Sequence, residues 1–166
     1  MSGQDCQLAV TTAGPEETRR VGEVFAGLLG AGDIVLLEGE MGAGKTVFAS
    51  GVGAGLGVTS PVTSPTFVLV RSQRGRSLAM HHADLWRLDS DAEIADLAIA
   101  EAAEEDGVAL VEWGEKAEKL VGEEYIKVVI SIADQLHRTI RFEAQGPSWT
   151  TRTAALARVL RGGEAE

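Results

Sequence analysis

Apolar and polar positions along this chain switch between two periods, and each switch marks an element. Val21, Val24, Phe25, Leu28 and Leu29 recur at helical spacing. Pro15 sits where a first helical residue belongs, Glu16 and Glu17 follow in the first turn, and Gly30 and Gly32 end the helix. Residues 34–38 form an unbroken apolar run closed by Glu38, the pattern of a strand buried on both faces. Phe48, Val52 and Leu56 then recur four apart and predict a helix over 47–56, stopped by Gly57. A second buried strand, 108–111, ends on Glu112 and Trp113.

Weaker patterns fill the remainder. Residues 7–10 read as a short first strand, 67–70 as a strand, 72–77 as a hairpin turn and 78–83 as the returning strand. The acidic stretch 91–103 predicts one helix. Residues 125–132 and 138–144 read as strands joined by a turn at 134–137. Residues 154–160 look like a closing helix, peripheral to the rest and spanning about 150–161, before a frayed tail over 162–166. Helices alternating with buried strands predict an α/β fold with a mainly parallel central sheet. The 166 residues fit a single domain, 1–166, with no internal repeat.

Between the strand at 34–38 and the helix at 47–56 lies Gly39-Glu40-Met41-Gly42-Ala43-Gly44-Lys45-Thr46, which fits G-x-x-x-x-G-K-[ST]. Glycines let successive N–H groups turn inward into an anion-binding nest, and the following helix adds the positive end of its dipole. Lys45 can reach the outer phosphates of a nucleotide and the Thr46 hydroxyl can ligate Mg²⁺. Strand, glycine loop and helix together predict a P-loop, hence a three-layer fold of the P-loop NTPase type.

Charge narrows the partners. The net charge of −10 and an isoelectric point near 4.8 oppose extensive contact with a nucleic-acid backbone. Arg71, Arg74 and Arg76 are the one candidate basic face, and a solvated hairpin accounts for them as well. No apolar run is long enough to span a bilayer, and residues 1–7 carry no basic-then-apolar signal, so a cytoplasmic protein is expected. Cys6 is the single cysteine, which excludes an internal disulfide, and it reads as a bystander.

A nucleotide hydrolase needs a carboxylate to complete a Mg²⁺ shell or to position water. Two strand-end acids compete for those roles, Glu112 after 108–111 and Asp84 after His82-Ala83, both at the carboxyl edge where open α/β sheets bind ligands. Trp113 either fills the rim of the core or shapes the nucleotide pocket. Ser64-Pro65-Thr66 either brings a hydroxyl toward the γ-phosphate or makes a rigid turn. His81 and His82 face opposite ways on a strand and make no metal site.

Taken in order, Leu37 to Thr46, Ser64-Pro65-Thr66-Phe67, His82-Ala83-Asp84-Leu85-Trp86-Arg87-Leu88 and Val111-Glu112-Trp113 resemble the TsaE (YjeE) family. These are bacterial ATPases of threonylcarbamoyladenosine synthesis in tRNA. The resemblance runs from about Pro15 to about Phe142 and implies a cytoplasmic ATPase that binds ATP and Mg²⁺ and hydrolyses ATP weakly alone. It implies action with a TsaD–TsaB heterodimer, which transfers a threonylcarbamoyl group supplied by TsaC, so that tRNA is met only indirectly. By similarity Gly39, Glu40, Met41, Gly42, Ala43, Gly44 and Lys45 wrap the phosphates, and Thr46 ligates Mg²⁺. Glu112 and Asp84 match the family's metal and catalytic acids, and Trp113 its functional tryptophan. Glu115 falls at a nucleotide-proximal position, and Arg138 near the base. Trp86 stands where tyrosine is common, and Gly114 replaces a frequent proline, which predicts a less restrained loop after Trp113. Two other readings keep the P-loop: a small-molecule kinase, and a non-catalytic nucleotide-sensing subunit.

Overall fold

The computed structural model describes residues 7–162; Cys6 and the tail residues 163–166 lie outside them. The elements are β1 (Gln7–Ala13), α1 (Pro15–Ala26), β2 (Ile34–Glu38), α2 (Lys45–Leu56), β3 (Val70–Arg74), β4 (Ala79–Asp84), α3 (Asp91–Ala95), α4 (Ile99–Asp106), β5 (Gly107–Glu112), β6 (Tyr125–Ile132), β7 (His137–Gln145) and α5 (Pro147–Gly162). Two 3-10 turns, Gly114–Lys116 and Glu118–Leu120, join β5 to β6.

The strands form one seven-stranded sheet in the order β1-β7-β6-β2-β5-β4-β3. Its middle strands, β6, β2, β5 and β4, run parallel, β7 and β3 run against them, and β1, antiparallel to β7, runs with them again. Successive side chains on β2 alternate between faces, and both faces are apolar. Val35 and Leu37 join Phe25 of α1, Phe48 of α2 and Trp149 of α5 in one core. Ile34 and Leu36 join Ile94, Ile99 and Ala117 in the other. The result is a three-layer α/β/α fold with the glycine loop at the centre of one sheet edge. Among the described residues, no helix is long and apolar enough to cross a membrane.

Helix α2 owes its position to glycine. A Cβ on Gly51 would fall on the Arg19 carbonyl oxygen of α1, and one on Gly55 would meet the Ala26 Cβ at 2.5 Å. The two helices therefore touch backbone to backbone, and glycine on one face of α2 is a steric requirement despite its cost in helix propensity. Phe25 closes the seam from below, with ring centroids 5.7 Å from Phe48, 5.4 Å from Phe142 and 6.0 Å from Trp149.

Four elements differ from the sequence reading. The stretch 91–103 is two helices, broken at Ala98 with φ 50°. Ile94 and Ile99 both enter the same core, yet five residues of one straight helix would turn them about 140° apart. Residues 67–69 are a turn, with the amides of Val68 and Leu69 donating to the Pro65 carbonyl at 3.1 and 2.7 Å, so β3 starts only at Val70. The hairpin turn is correspondingly tighter, closed by the Gly75 amide on the Leu78 carbonyl at 3.0 Å. The closing helix begins at Pro147, earlier than its apolar spacing suggests, and belongs to the core rather than the periphery: Trp149 is 1% exposed. Arg152 stacks 3.6 Å over the Trp149 ring and pairs with Asp33 at 2.5 and 3.1 Å, tying α5 to the segment before β2.

Replacing Gly51 by alanine is expected to destabilise the fold by roughly 1–3 kcal/mol through overpacking, seen as a lower urea midpoint; Gly162→Ala, with open space at its Cβ, serves as the neutral control. A second expectation concerns acid. The Asp134 carboxylate accepts the Leu136 and His137 amides at 2.9 and 2.7 Å, which holds its pKa down at about 2 from an ordinary 3.8. Its contribution is present above 3.8 and is lost as pH falls towards 2. The stability difference between wild type and Asp134→Asn, followed by acid titration of unfolding, should shrink in that window.

Candidate nucleotide site

Parallel pairing brings the candidate residues to one edge. Leu37 of β2 lies beside Glu112 of β5, and Glu112 beside Asp84 of β4. The chain leaving β2 turns through Gly39 (φ 151°), Gly42 (φ 83°) and Gly44 (φ 112°), a backbone path closed to larger residues. Gly44 caps α2 without a side-chain partner, leaving the first amides of the helix for an anion.

A cleft of about 390 Å³ opens there, lined by Met41, Gly42, Gly44, Lys45, Thr46, Ser64, Thr66, Asp84, Trp86, Glu112 and Trp113. Glu112, 3% exposed, accepts the Thr46 hydroxyl on Oε1 at 3.0 Å and faces His82 Nε2 with Oε2 at 2.6 Å. Asp84, also 3% exposed, is engaged on both oxygens. Its Oδ2 accepts from Ser64 at 2.7 Å and Thr66 at 2.8 Å, and its Oδ1 accepts the Trp86 amide at 2.9 Å. The two strand-end acids thus hold different partners, Glu112 the start of α2 and Asp84 the Ser64–Thr66 loop.

Lys45 is folded back on its own loop. Its ammonium donates to the Gly39 carbonyl and to the Glu40 carbonyl at 3.1 Å, and it lies 4.2 Å from the centroid of the Trp113 ring. Burial pushes its pKa down, against the carboxylates of Glu112, Glu115, Asp84 and Glu40, which favour the charge. Trp113 sits at φ 59°, a left-handed conformation uncommon for a bulky residue, and its ring packs 4.6 Å from that of Trp86 at 41°. Lys116 secures this pair from outside, donating to the Trp86 and Leu88 carbonyls at 3.0 and 2.9 Å.

Gly114 is tightly restrained, contrary to the expectation of a loose loop. A Cβ there would lie 2.6 Å from Leu36 Cβ and 2.8 Å from Leu36 Cα. Two expected residues stand apart from the cleft. Glu115 is exposed on the first 3-10 turn and reaches Lys45 only through its field. Arg138 lies behind the loop, where its Nε donates to the Ala43 carbonyl at 3.1 Å and it borders a second cleft of about 170 Å³ with Gly42, Gly44 and Val47.

His82, Trp86 and Lys116 were not singled out by sequence as parts of the site. One signal was available for His82: residues 82 and 84 share a strand face, so an acid at the strand end implies that its second neighbour backs the same site.

A strand–loop–helix of this form on the central strand of a parallel sheet gives the chain the P-loop NTPase-like α/β fold. Its relatives are more particular. Residues 12–140 match the family model for the threonylcarbamoyl adenosine biosynthesis protein TsaE, and the chain belongs to that family. It is 36% identical over 152 residues to the tRNA threonylcarbamoyladenosine biosynthesis protein TsaE of Bacillus subtilis, covering 92% of this chain and 95% of that protein. The protein of the same name from Streptomyces coelicolor is 38% identical over 141 residues, covering 80% and 94%. The crystal structure of Bacillus subtilis YdiB superposes with a TM-score of 0.81 at 32% identity, covering 95% of this chain and 99% of that one.

Because Lys45 rests on Trp113, a phosphate that draws the ammonium away should change tryptophan emission. We expect a nucleotide-dependent fluorescence change that is lost in Trp113→Phe, reduced in Trp86→Phe and kept in Trp149→Phe, measured by titration with Mg-ATP.

Proposed function

We propose that this protein is a Mg²⁺-dependent ATPase, acting in the cytoplasm in the threonylcarbamoyladenosine modification of tRNA, and that its ATP cycle serves a TsaD–TsaB heterodimer. The observation that carries the reading is the Thr46–Glu112 contact at 3.0 Å, a P-loop hydroxyl against a buried strand-end carboxylate. Family membership and the names of the relatives support the pathway.

The residues fit the metal. Thr46 and Glu112 offer oxygen donors, which suit a hard cation. Among the described residues no three His, Cys, Asp or Glu side chains gather as a cage. Mg²⁺ supplies charge neutralisation on the phosphate oxygens when bound. The chain's own residues do the rest. The loop amides and the start of α2 bind the β- and γ-phosphates. Lys45 leaves the Gly39 and Glu40 carbonyls and places its charge where negative charge builds during transfer. Glu112 orients the attacking water and takes its proton. The second cleft, beside Val47 and Arg138, is the place for the base.

The loop that reads the nucleotide is Ser64–Thr66. Its hydroxyls are held by Asp84, and a γ-phosphate offers them a competing partner. Just beyond it, Phe67 is 84% and Val68 57% exposed, and Met41 at the tip of the glycine loop is 69% exposed. This apolar rim suits a protein partner. A net charge of −10 disfavours free tRNA. A kinase would need arginines near the γ-phosphate, whereas Arg71 donates to Thr63 and Arg74 pairs with Asp106 at 3.0 Å.

Lys45→Ala and Thr46→Ala are expected to abolish ATP hydrolysis while circular dichroism stays unchanged; normal phosphate release from folded Lys45→Ala would sink the assignment. Glu112→Gln should slow turnover by about 10²–10⁴ with nucleotide binding largely kept. Phosphate release should rise on adding TsaD–TsaB, and a pull-down should depend on ATP. Binding of partners with no hydrolysis at all would leave the sensing subunit as the better reading.

A further inference from the structure

His82 is the most deeply buried polar side chain near the cleft, with no exposed surface. It lies on β4, two residues before Asp84, on the face that looks toward α2 with Met80 and Leu110. Its ring makes one polar contact, Nε2 to Glu112 Oε2 at 2.6 Å. Nδ1 is buried and has no hydrogen-bond partner. An ionised carboxylate can only accept, so the proton of this contact sits on Nε2.

We propose that His82 is the positioning residue for Glu112. The carboxylate is held at both ends, Oε2 by His82 and Oε1 by Thr46 at 3.0 Å. Without the imidazole, the terminal torsion of the glutamate has a broad and roughly two-fold preference, and the Thr46 hydroxyl alone would hold the carboxylate in place. With it, one oxygen is committed to the interior and the other is presented where the phosphates and their metal arrive. A leucine would fill the same place without an unpartnered ring nitrogen; what the imidazole adds is the bond to Glu112. This is the arrangement by which partners behind a metal or catalytic group fix its orientation.

The inference rests on the proposed catalytic role of Glu112, and the test separates the two. His82→Leu, His82→Gln, Glu112→Gln and the His82→Leu/Glu112→Gln double variant are compared for turnover, for Mn²⁺ binding in the presence of a non-hydrolysable ATP analogue, and for folding. His82→Leu should lower kcat and weaken Mn²⁺ binding by about 10–100-fold, while affinity for the nucleotide without metal changes less than about threefold. His82→Gln, which restores an N–H near the same point, should recover most of the loss. The double variant should be no slower than Glu112→Gln alone, because both substitutions act through one group. Wild-type turnover in folded His82→Leu, or a further full loss in the double variant, would overturn the positioning role. Normal turnover in Glu112→Gln would instead remove the catalytic role of Glu112, and this inference with it. Should His82→Leu not fold, His82→Gln and nitrogen NMR of the wild-type histidines decide: a proton on Nε2 supports the proposal, and an Nε2 without one refutes it.

Discussion

Everything at the nucleotide cleft depends on the register of three parallel strands. Leu37, Glu112 and Asp84 lie in one row across β2, β5 and β4. The loop that leaves β2 therefore emerges beside one carboxylate and one strand away from a second. A slip of one residue in either pairing would turn Glu112 or Asp84 to the opposite face, since side chains alternate along a strand. What prevents the slip is burial on both sides. Val35 and Leu37 are packed into one core and Ile34 and Leu36 into the other, and a displaced register would exchange side chains of different shape between two close-packed cores.

The parts of the fold legible in the sequence are those decided locally. The glycine loop, the buried run before it and the apolar spacing after it lie within some twenty consecutive residues, and each follows from its own chemistry. Glu112 and Asp84 were readable as strand-end acids for the same reason. What differed depends on partners distant in the chain. The break at Ala98 exists because Ile94 and Ile99 must enter one core. The start of α5 is set by Trp149 meeting Phe25, more than a hundred residues earlier. The pairing of His82 with Glu112 needs the neighbourhood of β4 and β5, and no local pattern contains it. Arg138 was readable as a residue near the site, but its place behind the loop follows from the β6–β7 hairpin folding back beside β2.

The site joins a fixed half to a yielding half. Helix α2 is pressed against α1 without intervening side chains and is backed by the aromatic cluster around Phe25. It cannot slide without lifting backbone from backbone. Opposite it, residues 64–69 are held by a few hydrogen bonds to Asp84 and by turn bonds to the Pro65 carbonyl, and they carry the most exposed phenylalanine side chain, Phe67. Free energies of local opening follow such differences in burial. On the proposed reading, a change in the number of phosphates would be expressed in the loop and its apolar rim while the helix stays still.

The fold-back of Lys45 has a thermodynamic side. The ammonium already has two carbonyl acceptors and an aromatic face before any ligand arrives. Under the proposed function a nucleotide would gain that cation only by exchange, so its affinity would be a difference between two sets of contacts, lowered by the fraction of molecules in which the lysine is still engaged internally. Ligands that bring little negative charge have nothing to win the exchange with. The proposed loop would in this sense be selective by threshold: a nucleoside would find the lysine occupied, and a polyphosphate would make its own opening.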